Sequence, residues 1–159
     1  MHLPVKGNQI NIRKNKFSNT MGWVRKKADG SAKVHQGWDI SADLGTPVYA
    51  ITNGTIEFVT GDVGDYGRQI CLSFYHQGKQ LYAFYAHLRE VTVVKGQFVG
   101  EGEDIGLVGR TGNAGNLPMS ETHLHFEIRT SPRPGGVLKG RLDPATIFGM
   151  KPILDTLLA

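Results

Sequence analysis

Seven residues at positions 122–128, THLHFEI, alternate polar and apolar side chains in a pattern that predicts a half-buried strand. Because residues two apart project to the same face of a strand, His123, His125 and Glu127 share one face. The other face carries Leu124, Phe126 and Ile128, which we expect to pack into the core. Two adjacent imidazoles on a rigid strand could form half of a metal site. The alternative is two surface histidines on an ordinary amphipathic strand.

The length and composition predict a single, mainly β domain. The chain has 159 residues, which is enough to bury a proper core, and its 21 glycines cluster in turn-like dipeptides. Aromatic and β-branched residues fill the stretches between these turns, as in a fold of short strands. No apolar run reaches the length of a membrane span, so we expect no membrane-spanning segment.

We predict three segments within this one domain: a basic, extended or loop-rich N-terminal arm (1–33), a core (34–148) and a C-terminal tail (149–159). Phe17, Met21, Trp23 and Val24 are the expected tethers between the arm and the core. The dipeptide Asp143-Pro144 is a good helix start, with Asp as the cap.

Two hairpins are predicted within the core. Asn53-Gly54 separates apolar runs at 45–52 and 55–59, which is a strong signal for a tight turn. The turn at 76–79 separates strands predicted at 68–75 and 80–87. Glycine-punctuated segments at 45–56 and 96–108 resemble each other weakly and indicate two similar β units. Cys71, the only cysteine, lies in a strand-like run and is predicted to be a buried, inert thiol.

Positive charge is concentrated at the N-terminal end. Residues 1–34 carry eight basic side chains and one acidic one, or +7, and the remainder carries ten and thirteen, or −3, which together give the net +4. Such an end attracts polyanions, including nucleic acid, anionic lipid and acidic cell-wall polymer, although a solvated basic face is the common case. No aromatic platform or helical lysine stripe supports nucleic-acid binding, so we expect none.

A second half-site begins at His35, with Asp39 four residues later. Gly37 between them lets the backbone turn tightly or approach another group closely. Together with His125 these residues supply two neutral nitrogens and one carboxylate, which is the ligand set of a catalytic zinc with an open fourth position. His87 and His123 are suited to general acid–base work beside such a metal, because imidazole titrates near neutrality.

Three motifs in this order resemble those of the lysostaphin/LytM-type zinc endopeptidases, which cut peptide bonds in bacterial peptidoglycan. The motifs are His35-x-Gly37-x-Asp39, Tyr85-Ala86-His87-Leu88 and His123-Leu124-His125-Phe126-Glu127. The resemblance spans roughly residues 17–148 and includes the lead-in that ends at Arg25, the glycine turn at 109–113 and the closing Asp143-Pro144.

The resemblance implies one catalytic zinc on His35, Asp39 and His125, with His87 and His123 as the catalytic, non-ligand pair. It implies an antiparallel β-sheet core of duplicated hybrid β motifs, crossed by a groove with loop walls. Residues 114–121 are longer than in the shortest members and are expected to form one groove wall. A tyrosine that some members carry before the first ligand is missing, since the first tyrosine here is Tyr49.

The expected function is therefore hydrolysis of peptide crosslinks in peptidoglycan, with lysis of the cell wall. The expected partner is peptidoglycan, the expected state a monomer, and the expected place the periplasm or the extracellular cell wall. A secreted toxin of this type would also have an immunity or inhibitor protein. The N-terminus shows no signal peptide, so we expect a phage-encoded, non-Sec-exported or trimmed form. The alternative function is a non-catalytic scaffold that activates another wall hydrolase.

Overall fold

The computed structural model describes residues 1–152 and is built almost entirely from strands. The strands are β1 (Gly22–Lys26), β2 (Ala32–His35), β3 (Trp38–Ser41), β4 (Pro47–Tyr49), β5 (Gly54–Val59), β6 (Arg68–His76), β7 (Lys79–Val91), β8 (Phe98–Val99), β9 (Asp104–Val108), β10 (His123–Arg129) and β11 (Arg141–Leu142). Helical segments in this range are α1 (Ala145–Phe148) and the short 3₁₀ turns Arg13–Asn15, Phe17–Asn19, Gly112–Asn116 and Met119–Glu121. The predicted mainly β, antiparallel fold class is confirmed.

One large antiparallel sheet carries most of the molecule. Its hydrogen-bonded path runs β11-β10-β7-β6-β5-β8, with β3 also paired to β10, β9 to β7, and β4 to β9. Strand β7 is the axis of this arrangement, because it pairs with β10 up to Ala86 and with β9 from Leu88 onward. His87 lies at the point where the partner changes. This candidate site residue therefore lies where β10 and β9 diverge along β7.

The predicted β6–β7 hairpin is confirmed, and the predicted hairpin at Asn53-Gly54 is wrong. Gln77 and Gly78 form the turn between β6 and β7, with φ of 51° and 77°, and a two-residue hairpin turn requires such positive values. In contrast, β4 pairs with β9, and β5 pairs with β6 and β8. Gly54 begins a strand in which a side chain would collide with the Ser73 carbonyl, so this glycine permits close strand approach.

The apolar face of β10 lies in the core as expected. Leu124, Phe126 and Ile128 are fully buried in the main cluster, together with Trp38 of β3. Cys71 belongs to a smaller cluster on the other side of the sheet and is also fully buried. Burial raises the pKa of its thiol to about 12, which matches the prediction of an inert cysteine.

The arm is attached by Met21, as predicted, and also by residues that were not predicted. Phe17 and Trp23 are 57% and 59% exposed, whereas Ile10 and Ile12 are 1% exposed within the main core cluster. Ile12 forms a bridge to Ile40 because residues 11–12 run along the edge of β3 and cover it. Of the other predicted tethers, Met21 packs against the core, and Val24 is half-buried in β1.

The rest of the arm is more regular than its composition predicts. Strands β1 and β2 form a separate antiparallel hairpin whose second strand ends at His35. Residues 1–21 are loop-rich, whereas residues 22–33 consist mainly of two extended strands and the turn between them, and both forms lie within the prediction of an extended or loop-rich arm. The hairpin couples the basic segment directly to the first candidate metal ligand.

The C-terminal part of the core closes on a short helix. Asp143 accepts a hydrogen bond from the backbone N–H of Ala145 at 2.9 Å, and α1 follows, as the Asp-Pro dipeptide predicts. The predicted tail reaches residue 159, and its residues 153–159 lie outside the described residues. Within residues 1–152 there is no helix of the length and apolar character that a bilayer crossing requires.

Candidate metal centre

Strand register brings two of the three predicted ligands face to face. In the antiparallel β3–β10 pair, Asp39 lies directly opposite His125. Gly37 precedes Asp39 and lies against the backbone carbonyl of Phe126, in a space that a side chain would fill. The close approach expected of this glycine is therefore present. His35 ends β2 immediately before this contact, so the short turn between β2 and β3 returns it to the same site.

The ligand atoms of His35, Asp39 and His125 converge on a small volume. Their three candidate donor atoms all lie within 4.8 Å of one another, and all three residues are 3% exposed. Oδ1 of Asp39 is 3.0 Å from Nε2 of His35 and 3.0 Å from Nδ1 of His125. Two imidazole nitrogens and one carboxylate oxygen suit zinc chemically.

The hydrogen bonds behind the two imidazoles determine which nitrogen faces inward. Nδ1 of His35 donates to the Thr20 carbonyl at 2.9 Å, and Nε2 of His125 donates to Glu127 at 2.9 Å. In the neutral rings the lone pairs of the opposite nitrogens therefore point at Asp39 Oδ1, which is itself an acceptor. Three converging acceptors require a cation between them, either a proton or a metal. This donor arrangement fits a zinc ion.

His87 and His123 face the same pocket with one nitrogen each held from behind. Nδ1 of His87 is 2.9 Å from the Thr111 carbonyl, and Nδ1 of His123 is 3.0 Å from the Glu121 carbonyl. Because a carbonyl oxygen only accepts hydrogen bonds, these Nδ1 atoms carry the ring protons. In the neutral rings Nε2 therefore carries the lone pair and can accept a proton. The two ring centroids are 5.1 Å apart.

The backbone of His87 is unusual for a strand residue. Its φ of 61° is in the left-handed region, which residues other than glycine rarely adopt. The strand pairing shifts register nearby, between Arg68 and Ile70 of β6. Such irregularities redirect side chains and are frequent beside functional sites. Here the bend turns the His87 ring toward the pocket while its backbone N–H donates to the Tyr66 carbonyl at 2.8 Å.

Burial and charge give the four histidines and the carboxylate different proton affinities. Burial lowers the pKa of His35 and His123, and burial with the neighbouring imidazoles lowers that of His87 to about 3. These three rings are therefore neutral near pH 7. Burial alone would raise the pKa of Asp39, but hydrogen bonds from His125 and His35 outweigh it and hold the pKa well below its usual range.

Glu127 holds the ring of His125 and is itself held by two arginines. Arg129 and Arg141 donate to its Oε2 at 2.6 Å and 2.9 Å, and Tyr66 donates to its Oε1 at 2.9 Å. Burial would lower the pKa of His125, but its hydrogen bonds to the two carboxylates raise that pKa to about 9. Glu127 therefore fixes the ring of His125 and also forms buried salt bridges with the two arginines.

Two arginines of the arm approach the outer oxygen of Asp39, and sequence reasoning did not assign them to the site. Nη2 of Arg25 donates to Oδ2 at 2.9 Å, and Nη2 of Arg13 lies 3.5 Å from the same atom. The carboxylate is thus held from both sides, with histidines at Oδ1 and guanidinium groups at Oδ2. The lead-in that ends at Arg25 carried a signal, whereas nothing in the pattern around Arg13 or Tyr66 indicated a role.

The five predicted site residues line one pocket of about 260 Å³. Its lining comprises Arg13, Arg25, His35, Gln36, Asp39, Tyr66, His87, Asn113, Leu117, His123 and His125. Leu117 comes from the 114–121 segment, where a groove wall was expected, and Asn113 lies directly before that segment. The structure thus brings all five predicted site residues together, and their roles as ligands or acid–base groups stay predictions.

Comparison with known proteins gives one family match and several relatives. The model of peptidase family M23 matches residues 33–137. An uncharacterized metalloprotease of Haemophilus influenzae is 36% identical over 126 residues, which are 79% of this chain and 25% of the relative. The peptidoglycan DD-endopeptidase ShyA of Vibrio cholerae is 31% identical over 112 residues, or 70% of this chain and 24% of the relative. The chain thus spans about a quarter of the length of these relatives.

A solved structure shows the same architecture. The catalytic domain of the antimicrobial peptidase lysostaphin from Staphylococcus simulans superposes with a TM-score of 0.63 and 25% identity. The match covers 94% of this chain and 100% of the lysostaphin domain. The similarity therefore extends through the N-terminal arm as well as the sheet.

Proposed function

The chain belongs to peptidase family M23, and from this premise we propose that it is a zinc-dependent endopeptidase that hydrolyses peptide crosslinks of bacterial peptidoglycan. The observation that carries this proposal is the convergence of the ligand atoms of His35, Asp39 and His125 within 4.8 Å of one another, with His87 and His123 lining the same pocket. The names of the relatives support the substrate class, since ShyA is a peptidoglycan DD-endopeptidase.

The metal would be held by Nε2 of His35, Oδ1 of Asp39 and Nδ1 of His125. A zinc ion in such an open site activates water and polarises a carbonyl group. The protein's contribution is to fix the three donors in advance. Thr20 and Glu127 hold the two rings from behind, and the arm arginines hold the carboxylate, so little reorganisation is needed on loading.

His87 and His123 would move the protons of peptide hydrolysis. Hydrolysis requires that a water lose a proton as it attacks the carbonyl and that the leaving amine gain one. Both rings are neutral near pH 7 and present Nε2 as the proton acceptor, while Nδ1 donates to a backbone carbonyl that fixes the ring. A ring that has accepted a proton becomes a cation that stabilises negative charge on the carbonyl oxygen.

The proposed place of action is the cell wall, in the periplasm or outside the cell. We further propose that residues 1–148 act as one catalytic unit. The arm contributes apolar residues to the core, and it also contacts Asp39 through Arg25. A monomeric state and an inhibitor or immunity partner stay predictions.

The test is digestion of purified peptidoglycan followed by mass analysis of the released fragments. Wild type should generate new amine ends at crosslinks, and the masses would identify the bond. His123→Ala should lower the rate by about 100-fold to 10,000-fold because an acid–base group is lost. His76→Ala, at the β6–β7 turn, is the matched histidine control and should cleave like wild type. A metal-free wild type that cleaves no wall type would contradict the proposal and favour the non-catalytic scaffold.

A further inference from the structure

A second groove, of about 350 Å³, opens beside the active pocket on the N-terminal arm. Arg13 and Arg25 line both, so the two spaces adjoin at these side chains. We call this second space the arm groove. Its charged lining is Arg13, Lys14, Lys16, Arg25, Lys26, Lys33 and Glu121. Six basic groups therefore surround the groove with one acidic group.

Half of these cations have no carboxylate partner among the described residues. Glu121 accepts from Arg13 at 2.8 Å and lies 3.5 Å from Lys14, and Arg25 is paired with Asp39. The other three are Lys16, Lys26 and Lys33. Within residues 1–152 no carboxylate lies within 4.0 Å of their ammonium groups. The arm groove thus carries a local excess of positive charge next to the candidate metal centre.

The strand register places two of these cations against each other. In the β1–β2 hairpin Arg25 pairs directly with Lys33. The guanidinium group of Arg25 is bound to Oδ2 of Asp39, so Lys33 is the member of this pair that is left to contact an anion in the arm groove.

We propose that the arm groove binds a carboxylate of the peptide substrate while the scissile bond occupies the active pocket. This inference rests on the proposed function and refines its substrate class. Peptide stems that are crosslinked directly carry free carboxylates near the crosslink, whereas oligoglycine bridges carry none. The arm groove consequently selects acidic stem-peptide crosslinks over neutral glycine bridges.

The shape of the arm groove favours a peptide over a nucleic acid. A space of this volume accommodates a few residues of an extended peptide, and it adjoins the pocket in which the bond would be cut. Duplex binding uses a wider track of basic groups along the phosphate backbone. A wall polymer with phosphate groups offers a different anion, and the experiment separates it from a carboxylate.

The test compares the binding of two uncrosslinked stem tetrapeptides, one with free carboxylates and one with the same carboxylates amidated. Isothermal titration is carried out with wild type, with Lys16→Ala/Lys26→Ala/Lys33→Ala, and with the charge-matched control Lys79→Ala/Lys95→Ala/Lys139→Ala from exposed sites elsewhere. Wild type and control should bind the free acid about tenfold more tightly than the amide, as expected for one or two charge-assisted contacts. The groove variant should lose this preference, and added salt should weaken it in wild type.

Several results would overturn the inference. They are equal affinity for the two peptides in wild type, no measurable binding of the free acid, equal losses in the groove and control variants, or a preference for glycerol phosphate polymer or duplex DNA over the free acid. Hydrolysis of crosslinked free-acid and amidated peptides is measured in parallel. If both peptides bind equally and are cleaved at the same kcat/KM, the proposal of carboxylate binding in the arm groove is wrong and the proposed function stands. If the free acid binds more tightly but neither peptide is cleaved, the proposed function is wrong and carboxylate binding stands.

Discussion

The two sides of Asp39 are built in different ways. On one side β10 supplies His125 and Glu127 from the buried interior of the sheet, and these side chains are 4% and 0% exposed. On the other side the arm supplies Arg25, whose side chain is 28% exposed and belongs to a small separate hairpin. The sheet therefore fixes the positions of the candidate ligands, while the arm supplies charge from a less constrained element. Substitutions on the two sides should have different consequences.

The largest effect is expected on the sheet side, for Glu127→Gln. This change removes the charge that Arg129 and Arg141 share in the interior, and it leaves two buried guanidinium groups without a counterion in the described part of the chain. Loss of one partner from a buried ion pair costs about 3 to 5 kcal/mol of unfolding free energy. Urea unfolding measures this loss. Tyr66→Phe removes one hydrogen bond to the same carboxylate and should cost about 1 kcal/mol. Similar losses in the two variants would mean that the arginines do not depend on Glu127.

The second effect tests whether the arm is part of the folded unit. Ile10→Ala should lower the unfolding free energy by about 2 to 5 kcal/mol, because a fully buried side chain is truncated. Trp23→Ala, which removes a larger but exposed side chain from the same arm, should change it by less than about 0.5 kcal/mol. Thermal or urea unfolding of the pair measures the contrast. Equal effects would show that the arm is attached in some other way.

The smallest effect is expected on the arm side, for Arg25→Ala. The charge-assisted hydrogen bond to Asp39 is partly exposed, so its loss should reduce kcat/KM by about tenfold while the unfolding midpoint changes little. Arg25→Lys keeps the charge but not the planar donor geometry, and its rate should fall between those of wild type and Arg25→Ala. A hydrolysis rate unchanged by Arg25→Ala would remove the arm from the orientation of Asp39.

The sheet side could largely be predicted from the sequence, because its spacing is regular. A period of two residues along a strand assigned Leu124 and Phe126 to the core and His125 to the opposite face, and the structure confirms that division. The β6–β7 hairpin was predictable for a similar reason, since its turn chemistry is local. The Asn53-Gly54 prediction failed because this glycine is needed for the close approach of β6 and not for a hairpin turn. That contact is a tertiary one, and no local sequence pattern indicates it.

Apart from the lead-in that ends at Arg25, the arm side could not be predicted, because its residues contact partners that are distant in the sequence and lie on irregular backbone. Ile10 and Ile12 are buried because they cover the edge of β3. The residues on either side of them show no periodic apolar pattern, so the sequence did not indicate this burial. The exposed Phe17 and Trp23 are larger and gave the stronger but misleading signal. Arg13 reaches Asp39 from a 3₁₀ turn, a placement that depends on the fold of the whole arm.

The most direct test of the central claim is the zinc content of three purified proteins: wild type, His125→Ala and His123→Ala. The two variants remove neighbouring imidazoles from the same face of β10, so they differ in the role proposed for each ring and not in its location. We predict one zinc per chain in wild type and in His123→Ala, and a loss of bound zinc in His125→Ala. Zinc retained by His125→Ala, or lost equally from both variants, would contradict it.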